Sequence, residues 1–227
     1  DLVAYSGFSS SNQLYMPFNS DLAFGNNDYS ASIWFKNGGT NELLMNVASD
    51  GTNQIWGIRI HSNDQILVQV TDDGFSTRSI INTGPVVAGV DSWQMVTLTR
   101  VNNAVSFYLN GEYQGSGSAV EANLSDPARV LIGMENSNGS KSFSGSLALA
   151  RISETAPSAE QIKKMYEDEK FLFQENAQAT LYGSSDAVTA LAYDDDTELL
   201  HAGTSAGRSV FQGLRRVDNT TRAVGTA

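Results

Sequence analysis

The stretch from Ser92 to Gly117, SWQMVTLTRVNNAVSFYLNGEYQGSG, leaves a chain little freedom in how it folds. It alternates. Gln94, Val96, Leu98 and Arg100 fall on one side, and Trp93, Met95, Thr97 and Thr99 on the other. Val105, Phe107 and Leu109 repeat the pattern one strand later. A period of two is that of a pleated strand with one face in a core. Asn102-Asn103 and Asn110-Gly111 sit at the reversals, and Asn and Gly accept the positive φ that two-residue hairpin turns require. The spacing predicts a three-stranded antiparallel meander, apolar on one side.

The rest of the chain repeats this grammar. Tyr29 to Lys36, YSASIWFK, sets Tyr29, Ala31, Ile33 and Phe35 against Ser30, Ser32, Trp34 and Lys36. Gln54 to His61 sets Trp56, Ile58 and Ile60 against Ile55, Gly57 and Arg59. Further strands are predicted at Leu2–Tyr5, Asn12–Pro17, Leu43–Ala48, Gln65–Thr71, Ser79–Ile81, Arg129–Met134 and Phe143–Ile152, with turn signals every ~8–12 residues. That spacing argues for an all-β sandwich or jelly roll of two antiparallel sheets rather than βαβ units. One short helix is predicted near the end of this domain. Ser158 and Gln161 have the spacing of a capping box, and Ile162, Met165 and Tyr166 form one apolar stripe.

After Phe173 the apolar content falls. Ala187–Tyr193 and Thr197–Ala202 read as a hairpin around Asp194-Asp195-Asp196, Ser209–Leu214 as a last strand, and Arg215–Ala227 as a loose tail. The domains expected are 1–172, a jelly roll, and 173–227, a β-rich extension too poor in apolar residues for its own core. Its charge is split, with six acids and no base over 175–198, then four Arg and one Asp from 201 onward. Pairing of these two stretches between neighbouring chains would make a homo-oligomer, a trimer as expected here.

Composition removes several functions. The net charge is −11 and the pI about 4.5, which disfavours a phosphate backbone as partner. With no Cys, disulfides and thiolate metal sites are excluded. No apolar run reaches the ~20 residues of a membrane helix, so insertion into a membrane by a helix is not expected. The chain opens on Asp1 without a signal-peptide pattern, so a fragment or processed product is expected. Neither a phosphate-cradling GxxxxGK[ST] nor a strand-to-helix GxGxxG occurs.

In three places the sequence resembles the laminin-G-like group of the concanavalin A-like lectin/glucanase superfamily. These are Tyr29–Lys36, the meander with Trp93-Gln94-Met95-Val96-Thr97-Leu98-Thr99-Arg100 and Phe107-Tyr108-Leu109-Asn110-Gly111-Glu112, and Leu131-Ile132-Gly133 followed by Phe143–Ile152 and the Ser158–Ile162 helix start. The segments Phe171–Leu181 and Leu200–Thr220 resemble parts of phage virion proteins such as tail fibres, and Leu199–Thr204 is similar to the middle of a propeller blade. The resemblance implies a non-catalytic carbohydrate-recognition module, on a virion or otherwise extracellular, that binds a surface glycan of a host cell. The other readings it allows are a structural virion module without ligand and an accessory domain of a glycoside hydrolase.

The superfamily's hydrolases resemble one another in a Glu-x-Asp-x-Glu strand, and paired carboxylates about 5–5.5 Å apart suit retaining hydrolysis. Glu167-Asp168-Glu169 has the wrong spacing, and Asp194, Asp196 and Glu198 straddle a turn outside the lectin-like region. Catalysis is therefore not expected. His61 and His201, the only histidines, read as surface or packing residues. Sugar binding calls for an exposed aromatic platform and planar polar partners. Trp34, alone among Ser30, Ser32 and Lys36, is the expected platform, and Arg59, opposite Ile58 and Ile60, the expected donor fork. Calcium is the cofactor that Asp50, Asp72 and Asp73, or the Asp194-Asp195-Asp196 cluster, would suit, from loops with carboxylate and carbonyl oxygens; the same residues are ordinary turn formers.

Overall fold

In the computed structural model the described residues are 4–22, 24, 27–36, 38–48, 54–63, 65–71, 78–82, 92–118, 128–135, 141–173, 181, 187–213 and 215–222. They fall into two compact units, Val3–Tyr166 and one that holds Glu167–Ala227.

Two six-stranded sheets build the first unit. In chain order its strands are β1 (Tyr5–Ser6), β2 (Leu14–Asn19), β3 (Tyr29–Lys36), β4 (Glu42–Ala48), β5 (Gln54–Ile60), β6 (Ile66–Thr71), β7 (Arg78–Asn82), β8 (Trp93–Val101), β9 (Ala104–Leu109), β10 (Glu112–Ser118), β11 (Ala128–Ile132) and β12 (Ser146–Ser153). One sheet runs β1-β12-β3-β8-β9-β10 and the other β2-β11-β4-β5-β6-β7. The pairings are antiparallel throughout. This is the all-β, two-sheet antiparallel sandwich that the alternating strands predicted.

Periodicity decides which face goes inward. From the first sheet Tyr29, Ile33, Phe35, Val96, Leu98 and Phe107 meet Leu44, Val47, Trp56, Ile58, Ile60 and Val68 of the second. Each such side chain contributes ~1.5–3 kcal/mol on leaving water, and these residues are essentially fully enclosed. The reversals form as expected. Asn102 and Asn103 take φ of 46° and 67°, and Asn110 and Gly111 take 53° and 80°. Asn110 Oδ1 accepts the Met95 N–H at 2.9 Å, fixing the second turn to the strand before it.

Helix α1 (Ala159–Glu169), continued by a 3-10 turn at Lys170–Phe173, begins on the predicted capping box. The Ser158 N–H donates to Gln161 Oε1 at 2.8 Å and the Gln161 N–H to Ser158 Oγ at 3.3 Å. Ile162 is buried. A Cβ on Gly111 would lie 3.0 Å from Lys163 Cα and 3.2 Å from Tyr166 Cβ, so the glycine lets the β9–β10 turn touch the helix. Lys163 and Glu112 form an exposed ion pair at 2.7 Å beside this contact.

The second unit contains one four-stranded antiparallel sheet, β13 (Val188–Asp194), β14 (Leu199–Thr204), β15 (Gly207–Gln212) and β16 (Arg215–Thr220), in that order. The predicted hairpin around Asp194–Asp196 forms, with Tyr193 opposite Leu200 and Asp194 opposite Leu199. The tail expected from Arg215 is corrected. Arg215–Thr220 pairs with β15, and Arg208 bridges to Asp218 at 3.0 Å. RRVDNT carries no apolar alternation because it is an edge strand with little to bury. Ala202, Thr204, Ser209, Val210 and Phe211 are the buried side chains of this sheet among the described residues.

Candidate functional site

Trp34 does not present a platform. It is 1 % exposed and stacks on Tyr166 of α1, with ring centroids 5.5 Å apart and planes 17° from parallel. This corrects the expectation of an open ring: α1 arrives from more than 120 residues later in the sequence and covers it. The same face of the sheet, Ser30, Ser32, Met95, Thr97 and Thr99, is also buried.

Arg59 lies on the outward face of the second sheet, opposite Leu43 and Leu67. One row along, Asn46, Gly57 and Gln69 stand side by side across β4, β5 and β6. Gly57 puts no side chain between the two amides, which stand two strand spacings, roughly 10 Å, apart, and all three residues are buried. Asn46 Nδ2 donates to the Glu135 carbonyl at 2.7 Å. Asn46 Oδ1 and Arg59 Nε are enclosed, with no hydrogen-bond partner among the described residues. Buried polar atoms of this kind cost free energy unless something answers them.

Asp50, Asp72 and Asp73 lie outside the described residues. Among the described residues no three His, Cys, Asp or Glu side chains are grouped to hold a metal. His61 Nδ1 is 2.9 Å from Asn63 Oδ1 in an exposed turn, a local contact. Asp194 caps its own turn. Hydrogen bonds from the Thr197 hydroxyl and the Asp196 N–H hold its carboxyl below the usual range. No described strand of the sandwich carries two acids.

Alternation could not show the open cleft at the mouth of the sandwich. Tyr5 on β1, Leu14, Tyr15 and Met16 on β2, and Ala150, Arg151 and Ile152 on β12 enclose about 450 Å³ between the edges of the two sheets. Tyr5 is 51 % and Tyr15 61 % exposed. The wall at β12 is shaped by a bulge. Ala148 faces Trp34, but Arg151 faces Ser32, so β12 carries one extra residue there. Leu149, within it, has φ of 48°. A bulge re-aims the side chains in and after it, here Ala150 and Ile152, which line the cleft. The sequence signal was the aromatic residue in NQLYMP, on a strand whose partner was not predictable.

The chain belongs to the concanavalin A-like lectin/glucanases superfamily, in which the Laminin_G_3 family model matches residues 9–163. No curated protein matches the chain. Among solved structures it is similar to the CBM40 of the Ruminococcus gnavus IT-sialidase bound to α2,3 sialyllactose. Identity is 14 %, coverage 72 % of this chain and 98 % of the other, and the TM-score 0.55. Domain 4 of AbnA, an extracellular arabinanase from Geobacillus stearothermophilus solved with arabinotriose, is 19 % identical, with 73 % and 81 % coverage and a TM-score of 0.54. The binding domain of botulinum neurotoxin serotype D is 18 % identical over 95 % of this chain and 54 % of the other, at 0.56. At these identities the likeness is one of fold.

Proposed function

We propose that the chain is a non-catalytic carbohydrate-recognition module whose ligand sits in the cleft between Tyr5, Tyr15 and Arg151. The exposure of two tyrosine rings on that cleft carries the reading. A sugar presents apolar C–H faces that stack on an aromatic ring, and hydroxyls that need donors and acceptors at the rim. Arg151 offers planar donors there. Two solved structures of similar fold hold sugars, a sialyllactose and an arabinotriose, which supports the ligand class. A glycan array with the whole chain, followed by titration of the best sugar, tests it. Tyr15→Ala should weaken binding at least tenfold, about 1.4 kcal/mol, while the melting temperature stays put. An array with no hit overturns the reading and favours a structural module without ligand.

Arg59 gives a second proposed location for the sugar, the outward face of β4–β6, where its Nε and Asn46 Oδ1 are enclosed without a partner among the described residues, so that a ligand there must displace what covers them. If Arg59→Ala abolishes binding and Tyr15→Ala does not, that face holds the ligand. The finer reading is the receptor-binding part of a phage tail fibre or other virion appendage, directed at a host-surface glycan. It rests on the resemblance of the C-terminal segments. Calcium at Asp50, Asp72 and Asp73 rests on loop chemistry alone; a chelator that leaves sugar binding unchanged removes it.

A further inference from the structure

The C-terminal sheet carries opposite charge at the same end of its two outer edges. Asp194 on β13 pairs across to Leu199, Leu199 to Gln212, and Gln212 to Arg215 on β16. Asp194, Asp195 and Asp196 therefore lie at the same end of the sheet as Arg215 and Arg216. Within one sheet Asp194 and Arg215 are separated by three strand spacings, about 14 Å, too far for an ion pair. The strand directions add a second fact. With every pairing antiparallel, β13 and β16 run in opposite senses. A second copy placed edge to edge would set its β13 antiparallel to the first copy's β16, with the acidic turn one strand spacing, about 4.8 Å, from Arg215.

β13 is also little protected as an edge. Its sequence VTALAYD has no Lys and no Pro, it is exposed along its whole length, and its one register shift, between Val188 and Ala190, lies at the end away from Asp194. Leu191 is 66 % and Tyr193 59 % exposed. Tyr193 lies beside Leu200 in one cross-strand row, and Leu200 is exposed as well. Flat apolar edges of this kind recruit another strand unless charge, Pro or a bulge blocks them.

We infer that this sheet is a head-to-tail self-assembly surface: β13 of one copy adds to β16 of the next, with Asp195 and Asp196 against Arg215 and Arg216. Such a contact is heterologous, so each copy uses one of its edges on either side. Antiparallel pairing of two β13 edges would instead separate the acidic ends from any Arg. The inference is independent of the sugar site.

Sedimentation velocity on the full chain tests it. The wild type should sediment as more than one copy, and more weakly so in high salt, which screens exposed pairs. Asp195→Arg with Asp196→Arg should give single copies. So should Arg215→Glu with Arg216→Glu. An equimolar mixture of the two variants should assemble again, because each supplies the charge the other lacks. Leu191→Lys tests the edge without touching either charged end, and should also give single copies. A wild type that sediments as one copy, charge variants that keep the wild-type mass, or a mixture that stays dissociated would each overturn it.

Discussion

The two units use the same secondary structure and stabilise it in opposite ways. In the sandwich, β3 is buried from Tyr29 to Phe35 on both faces, by the opposite sheet on one side and in part by α1 on the other. In the C-terminal sheet, β13 is exposed on both faces. The first gathers hydrophobic area from strands distant in sequence, with β3 between β12 and β8. The second joins neighbours through short turns, so its ladder forms locally but encloses little. The difference in burial leads to the expectation that antiparallel pairing alone does not make a stable unit and that a second layer does.

Separating the units is the most severe way to probe this contrast. A peptide spanning 187–222 should show no cooperative melting by circular dichroism, since a chain below ~40 residues without disulfide or metal rarely folds alone. A chain ending at Phe173 should keep a single cooperative transition. If the peptide folds as a monomer, the contrast fails.

Point substitutions sharpen it. Trp56→Ala, in the sandwich core, should cost ~3–5 kcal/mol in denaturant unfolding. Leu191→Ala on β13, compared within the Arg215→Glu, Arg216→Glu background that keeps copies apart, should change stability by less than ~0.5 kcal/mol. Comparable losses there would mean that Leu191 is packed within a single copy. Gly111→Ala should fall between these, at ~1–3 kcal/mol. It strains a positive φ and presses on Lys163 of α1. A loss below that range would show that the helix can draw back.

The smallest expected effect is one of pH. Tyr29 is fully enclosed, and that burial raises its hydroxyl well above the usual tyrosine value of 10.0, while Arg100 pulls weakly the other way. Its folded value exceeds its unfolded one, so its contribution is complete below pH 10.0 and is lost as the pH climbs beyond it. Tyr29→Phe should flatten that alkaline fall in melting temperature. An unchanged slope would assign it to other groups.

The fold could be read from residues because alternation and turn chemistry are local. Val96, Leu98 and Phe107 announced their face, and Asn102-Asn103 and Asn110-Gly111 announced their turns. The site and the last strand could not, for three physical reasons. Trp34 sits among small polar residues, and nothing near it in sequence reveals that Tyr166 stacks on it. The cleft at Tyr5 and Tyr15 exists where the edges of two sheets meet, and periodicity does not encode which strands become neighbours. β16 has too little apolar alternation to be distinguished from a tail, although pairing with β15 makes it a strand. Among the metal candidates, Asp50, Asp72 and Asp73 lie outside the described residues.

The Asn110-Gly111 turn has a consequence for how the protein ages. Asn-Gly is the dipeptide most prone to spontaneous deamidation, because the following backbone nitrogen can attack the amide carbonyl. Here that carbonyl oxygen is held by the Met95 N–H, in a backbone conformation locked by the hairpin and by α1 behind it. What the contact that aligns two strands supplies is restraint: the Asn110 side chain has to leave the Met95 N–H and turn before the Gly111 nitrogen can meet its amide carbon. Loosening the turn would start a chemical clock that the folded chain keeps stopped.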